Sequence, residues 1–176
     1  MRMHTKLIAR TVLLLGTGWF AACNSYIDDE PNVVLEIETL TSPPVSGSIN
    51  TVTGECIFTI VNASALFKNK PKNALAGSSV APFNDIVLQR VSIDYVWDDG
   101  AALSGVIFGV SGTVPSGGQV ASQFPLVNAT VLNSGVTPRD GHTAQLSITA
   151  YGMTVAGEPV VGRPFTGGNL SINSCI

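Results

Sequence analysis

From Ile86 to Trp97 the chain alternates between side chains that avoid water and side chains that accept it. Val87, Val91, Ile93, Tyr95 and Trp97 share one parity with Gln89, while Arg90, Ser92 and Asp94 share the other. Side chains swing to opposite faces residue by residue only in a β-strand, so this period of two predicts a strand with one face in a core. The same signal recurs along the chain, and no stretch sustains the 3.6-residue period of an amphipathic helix.

Val33, Leu35 and Ile37 alternate with Val34, Glu36 and Glu38, which predicts a first strand stopped by Thr41-Ser42-Pro43-Pro44. A second is expected from Gly54 to Ala63, with Cys56, Phe58 and Ile60 on one face. Residues 64–84 read as irregular, with at most one helical turn at Ala65-Leu66-Phe67. After Ile86–Trp97, Asp98-Asp99-Gly100 suits a hairpin turn, because glycine accepts a positive φ without steric cost. Further strands are expected over Leu103–Val110, Val120–Leu132 with a bend at Pro125, His142–Val155 and Asn169–Cys175. About seven antiparallel strands with one buried face each need two sheets packed face to face. The expected fold is therefore all-β, an immunoglobulin-like antiparallel β-sandwich. A jelly roll or another sandwich topology is the alternative.

The N-terminus carries a different pattern. Arg2, Lys6 and Arg10 precede an apolar run from Val12 to Phe20 that ends in Phe20-Ala21-Ala22-Cys23. A basic leader, an apolar stretch and small residues before a boundary form the layout of a secretory signal. The run is shorter than the roughly 20 residues a membrane-spanning helix needs. Bulky Phe20 at −3 fits ordinary signal cleavage poorly. The boundary looks like a bacterial lipobox, which makes Cys23 the lipid-bearing first residue of the mature chain. Residues 1–22 are then a signal peptide, 23–32 a lipidated tether and 33–176 the sandwich domain. Asn24 after the cysteine favours the outer membrane over inner-membrane retention.

Removing residues 1–22 leaves 154, enough for one domain with a real core. The mature chain keeps six basic residues against twelve acidic ones, a net charge of −6. That balance argues against nucleic acid as a partner, since phosphates demand a basic surface. The one basic cluster is Lys68, Lys70 and Lys72, in a breaker-rich stretch that reads as a loop. With Cys23 lipidated, Cys56 and Cys175 form an even pair, and an exported protein with two cysteines favours a disulfide. Closing a loop of about 100 residues contributes up to roughly 4.7 kcal/mol in the chain-entropy picture.

Two stretches, Phe83–Tyr95 with Trp97 to Gly100 and Leu146–Glu158, together with the lipobox, resemble a loose group of uncharacterised bacterial lipoproteins of similar size. The resemblance implies an envelope location and a sandwich fold. It brings no catalytic residues.

The chemistry-bearing residues are sparse. There is no Gly-x-Ser-x-Gly elbow, and the mature chain holds one histidine, His142, two residues after Asp140. One histidine and two paired cysteines do not supply a zinc site. Asp94, Asp98 and Asp99 cluster in sequence but lack the spacing of a calcium loop. Tyr95 and Trp97 share a parity with core residues. No catalytic residue, cofactor or metal is expected. The expected role is a lipid-anchored envelope module, non-enzymatic, that binds a protein or glycan or acts structurally. A small-ligand or calcium carrier and an envelope hydrolase are the alternatives. The candidate binding loops are Leu66–Phe83, with its three lysines, and Asn133–Gly141.

Overall fold

The computed structural model describes residues 32–72, 81–133 and 139–175. The expected signal peptide, Cys23 and all of the expected tether except Asn32 lie outside the described residues. Eleven strands run in chain order: β1 Val33–Thr41, β2 Ser46–Ile49, β3 Cys56–Thr59, β4 Asn62–Pro71, β5 Ile86–Trp97, β6 Ala102–Gly109, β7 Thr113–Val114, β8 Gln119–Pro125, β9 Thr143–Thr154, β10 Pro159–Val161 and β11 Phe165–Ser171. A 3₁₀ turn, Pro82–Asn84, precedes β5, and a four-residue helix α1, Ala129–Leu132, follows β8.

The strands form two antiparallel layers. One sheet has the order β1-β4-β8. The other has the order β10-β9-β5-β6, with β11 continuing along β9 beyond β10 and β7 extending beside β5. β2 and β3 form a separate two-stranded ribbon. Three strands facing a sheet built round β9 and β5 is the order of an immunoglobulin-like sandwich. The small additional strands account for eleven where about seven are expected. Leu35, Phe67 and Phe124 from the first sheet meet Val91, Ile93, Tyr95 and Ile148 from the second in one continuous core. The rings of Phe67 and Phe124 lie 6.3 Å apart.

Strand β5 has the boundaries that its alternation predicts, but its parity changes midway. Its register against β9 shifts between Leu88 and Arg90. Ile86 and Leu88 are buried before the shift, and Val91, Ile93, Tyr95 and Trp97 after it. Val87 therefore points outward, opposite Met153, rather than into the core. Edge strand β6 is bulged in turn: Asp94 Oδ1 accepts the Gly105 N–H at 2.7 Å. Such a bulge interrupts the flat, uncharged edge that would otherwise invite another strand.

The strand expected from Gly54 to Ala63 is split into β3 and the start of β4, and residues 64–71 belong to the ten-residue strand β4, not to an irregular segment or a helical turn. Ala63, Ala65, Phe67 and Asn69 face the core and are buried. Two alanines and an asparagine disguise the alternation, because neither type is typical of strands. Asn69 tolerates full burial because its Nδ2 donates to Asn84 O at 2.8 Å and Val114 O at 3.3 Å. The long strand expected from Val120 stops instead at Pro125, which cannot donate to a ladder. Asn128 Oδ1 then caps α1 by accepting the Val131 N–H at 3.0 Å.

The sandwich has two distinct ends. At the entry end the Lys72 N–H donates to Asn32 O, and Val155 and Ala156 donate to Asp85 O and Phe83 O. At the far end lie the β5–β6 turn, the start of β9, the β2–β3 hairpin and the C-terminal tail. There Val45 bridges Ile172, and Cys56 on β3 forms a disulfide with Cys175. Cys175 is reached after β11 has ended, which reconciles its parity with the bond.

Two substitutions test this packing. A Cβ on Gly152 would lie 2.7 Å from both Ile86 Cγ2 and Val87 O. Gly152→Ala is expected to lower stability by about 1–3 kcal/mol, because a backbone carbonyl cannot move aside cheaply. Cys56→Ser is expected to lower it by about 2–5 kcal/mol. Urea unfolding checks both, with the slope unchanged for Gly152→Ala.

Candidate binding site at the far end of the sandwich

Strand β5 delivers Trp97 to the rim of the core, and the chain turns at once. The Gly100 N–H donates to Trp97 O and the Trp97 N–H to Ala101 O, while Gly100 takes a φ of 85° that a side chain would resist. The turn sets Asp98 and Asp99 side by side and sends them to different partners.

Asp98 meets the first residues of β9. Its Oδ1 lies 2.7 Å from His142 Nδ1, and its Oδ2 accepts the Thr143 N–H at 3.0 Å and the Thr143 hydroxyl at 3.3 Å. The His142 hydrogen bond, with the Thr143 N–H next, holds this carboxyl below the usual aspartate range. Asp99 accepts the Ala101 N–H at 2.9 Å and an Arg139 Nη1–H at 2.6 Å, and those two bonds lower its carboxyl in the same order.

Arg139 is not legible as a core residue in the sequence, where Arg-Asp-Gly reads as a turn. Its side chain is buried, and its guanidinium stands 4.7 Å from the centre of the Trp97 ring. The arrangement combines a cation–π contact with a charge pair to Asp99 at the rim. Trp97 in turn stacks beside Tyr95, whose hydroxyl donates to Leu126 O at 2.7 Å. Burial, with Asp94 nearby as a lesser cause, raises the Tyr95 phenol far above its ordinary value. Tyr95 and Trp97 are thus core pillars and not an exposed aromatic platform.

A cleft of about 520 Å³ opens beside this cluster, walled by Ser42, Pro44, Asp98, Thr143, Gln145 and Ser171 among others. It shares Val96, Gln145 and Asn169 with a second cleft of about 510 Å³, which reaches Asp94, Ser147 and Thr166. Together they make a trench across β5, β9 and β11 in which amides, hydroxyls and carboxylates stand among apolar side chains such as Val96 and Leu170. In a Ser-His-Asp arrangement the imidazole stands between carboxylate and hydroxyl. Here the carboxylate of Asp98 lines the cleft and His142 does not. No serine hydroxyl is hydrogen-bonded to His142 among the described residues.

The three sequence-predicted aspartates do not converge, since each carboxylate serves its own N–H or cationic partner. Among the described residues one group of three metal-ligand types lies close together, Cys56, Asp140 and Cys175. Its sulfurs are bonded to each other. Asp140 is instead engaged by the Cys175 N–H at 2.8 Å.

The lysine cluster needs correction as a candidate loop. Lys68 and Lys70 lie on the outer face of strand β4, not in a loop. Lys68 Nζ is 3.1 Å from Glu38, and Lys70 pairs with Glu36, which also binds Arg163 at 3.1 Å. The basic run is one half of a cross-strand charge ladder with β1. Lys72 follows the end of β4, and its backbone N–H holds Asn32 O at 2.8 Å. Of the second candidate loop, residues 134–138 lie outside the described residues, and the described part places Arg139, Asp140 and His142 at the far end.

No family model matches the chain, and no curated protein matches it. Among solved structures it is similar to a protein described as a late embryogenesis abundant protein, at 14% identity and a TM-score of 0.44, covering 97% of this chain and 86% of the other. That likeness carries no argument about function.

Arg139→Ala is expected to lower stability by about 2–4 kcal/mol through lost packing under Trp97, while Arg139→Met restores most of it. Chemical denaturation of both variants checks this. The folded-state pKa values of Asp98 and Asp99 are depressed, so their stabilising contribution is present above the ordinary carboxylate value near 4 and fades as pH falls through the folded values. Asp98→Asn is expected to weaken the domain at neutral pH and to flatten the acid limb of its stability profile. Unfolding midpoints measured from pH 7 down to 2 test that.

Proposed function

We propose that this protein is a lipid-anchored module of the bacterial cell envelope, held by Cys23 in the outer membrane, with a non-enzymatic role in binding. The observation that carries this reading is the boundary Phe20-Ala21-Ala22-Cys23 after a basic and apolar leader. The Cys56–Cys175 disulfide supports it, since such bonds persist in oxidising compartments and not in the cytosol. Three acyl chains on one cysteine would make detachment negligible, because two already suffice for stable anchoring.

The partner site is the trench at the far end, away from where the chain enters. Gln145, Asn169, Thr143 and Ser171 offer paired donors and acceptors without net basic charge. That inventory fits hydroxyl-rich ligands such as an envelope glycan, with a polar protein surface as the alternative. Nucleic acid does not fit, since the mature chain carries a net charge of −6.

A hydrolase reading has one specific observation in its favour, the 2.7 Å contact of His142 with Asp98 beside a cleft. Loss of ester or glycan hydrolysis in a folded His142→Ala protein would establish it over the binding role.

The expected outcomes are concrete. Intact mass of native protein shows a lipidated chain beginning at Cys23, and Cys23→Ala abolishes the lipid. A photo-crosslinker at Asn169 captures an envelope component, one at Lys70 does not, and Gln145→Ala reduces the Asn169 adduct severalfold. Equal labelling from both positions would refute the far-end site.

A further inference from the structure

The entry end of the sandwich carries a group of exposed apolar side chains. Phe83 and Val155 are 58% and 59% exposed, in two turns joined by the Ala156 N–H to Phe83 O. On the adjoining outer face Val87 and Met153 oppose each other across β5 and β9 and remain 41% and 38% exposed. Val161, 64% exposed, lies on β10 opposite Tyr151. These five side chains share that end and its outer face with Tyr151 and with Arg90, whose guanidinium stands 4.9 Å from the centre of the Tyr151 ring. Arg163, Glu36 and Lys70 stand at the rim of this surface as a mutually paired set, and Glu158 lies in the turn beside Val155. Asp85, which underlies Phe83 and Val155, is engaged by the Ser116 N–H at 2.8 Å.

This surface sits where the chain enters the domain. Asn32 is held against Lys72 at the end of β4, and Asn69 ties that same point of β4 to Asn84, next to Phe83. Only residues 24–31 separate Cys23 from Asn32. Fully extended, a segment of that length spans no more than about 30 Å. Strands of twelve residues, by comparison, run for about 40 Å. A lipid on Cys23 therefore keeps the entry end within about 30 Å of the bilayer at all times.

We infer that the apolar entry end rests on the lipid surface, with Phe83 and Val155 seated among the headgroups and the Val87–Met153–Val161 face beside them. The inference rests on the anchored reading above and deepens it, by assigning the domain a fixed orientation on the membrane. Exposed apolar side chains seated in the interface plane are the working part of a peripheral membrane contact. Because the five contact side chains are apolar, the contact persists in high salt.

The test uses the mature lipidated protein in vesicles of phosphatidylethanolamine and phosphatidylglycerol that include acyl-brominated phospholipid. Trp97 is the one tryptophan left after residue 22, and it is buried at the far end, so it reports little. Phe83→Trp and, independently, Val155→Trp are expected to be quenched severalfold more than Val52→Trp, which stands 89% exposed in the β2–β3 turn. The quenching is expected to survive 1 M salt. Equal quenching at positions 83, 155 and 52, with Cys23 shown by mass to be lipidated, would overturn the inference alone. If the indole of the Phe83→Trp variant is unquenched in vesicles yet shielded from acrylamide in native envelopes, the inference is overturned in favour of a protein partner. An unmodified Cys23 would instead remove the anchored reading beneath it.

Discussion

The antiparallel ladder between β5 and β9 is the constraint on which the other elements depend. Each strand is twelve residues long, and the two pair from Ile86–Thr154 at the entry end to Trp97–Ala144 at the far end. β6 and β7 add to one side of the ladder, and β10 and β11 to the other. Its inner face supplies Val91, Ile93, Tyr95, Leu146 and Ile148, against which β1 and β4 close the core. Both ends of the molecule are also set by it. Trp97 and Asp98 leave β5 as Thr143 enters β9, so the carboxylate and the imidazole of His142 meet without any loop having to reach. At the opposite end Asp85 and Val155 are neighbours for the same reason.

Much of this ladder is legible in sequence because its side chains are large, apolar and strictly spaced. The register shift at Gln89 is not, since a bulge is a backbone event that leaves composition unchanged. It inverts the assignment of Val87, and with it hides an exposed apolar face. Strand β4 escapes the pattern for a different reason. Its inward positions hold Ala63, Ala65 and Asn69, and only Phe67 signals burial by its chemistry. Lysines on the outward positions read as a loop when viewed alone, but Glu36 and Glu38 on β1 are their partners across the ladder. The capping asparagine of α1 is a local signal that sequence reasoning could have used, an Asx residue ahead of Ala-Thr-Val-Leu. Arg139 carries none. A charged residue in a turn is normally solvated, and here the spatial coincidence of Trp97 and Asp99 helps make its burial tolerable.

The far end shows how few polar groups such a fold needs to organise a surface. Asp98 and Asp99 are adjacent, yet one fixes the start of β9 and the other anchors Arg139 over the indole. Neither carboxylate is free to act as an isolated charge. In the trench beside them Gln145 and Asn169 are presented from neighbouring strands in register with each other. Preorganised polar groups lose little freedom when they bind, which favours recognition by a modest number of hydrogen bonds.

The Cys56–Cys175 bond has a consequence for load. A chain held at its N-terminus and engaged at its far end is pulled between Asn32 and the region of His142. Along the backbone that path runs through all the strands from β1 to β8. Through the sulfur bridge it leaves the first hairpin at Cys56 and returns from Cys175, crossing roughly half as many residues. Strands β4 to β8 lie on the bypassed arc, so tension reaches them only as non-covalent shear. Extension of the stretched molecule is capped by that shortcut, and the bridge functions as a stop that limits how far the domain can yield before the load passes to covalent bonds.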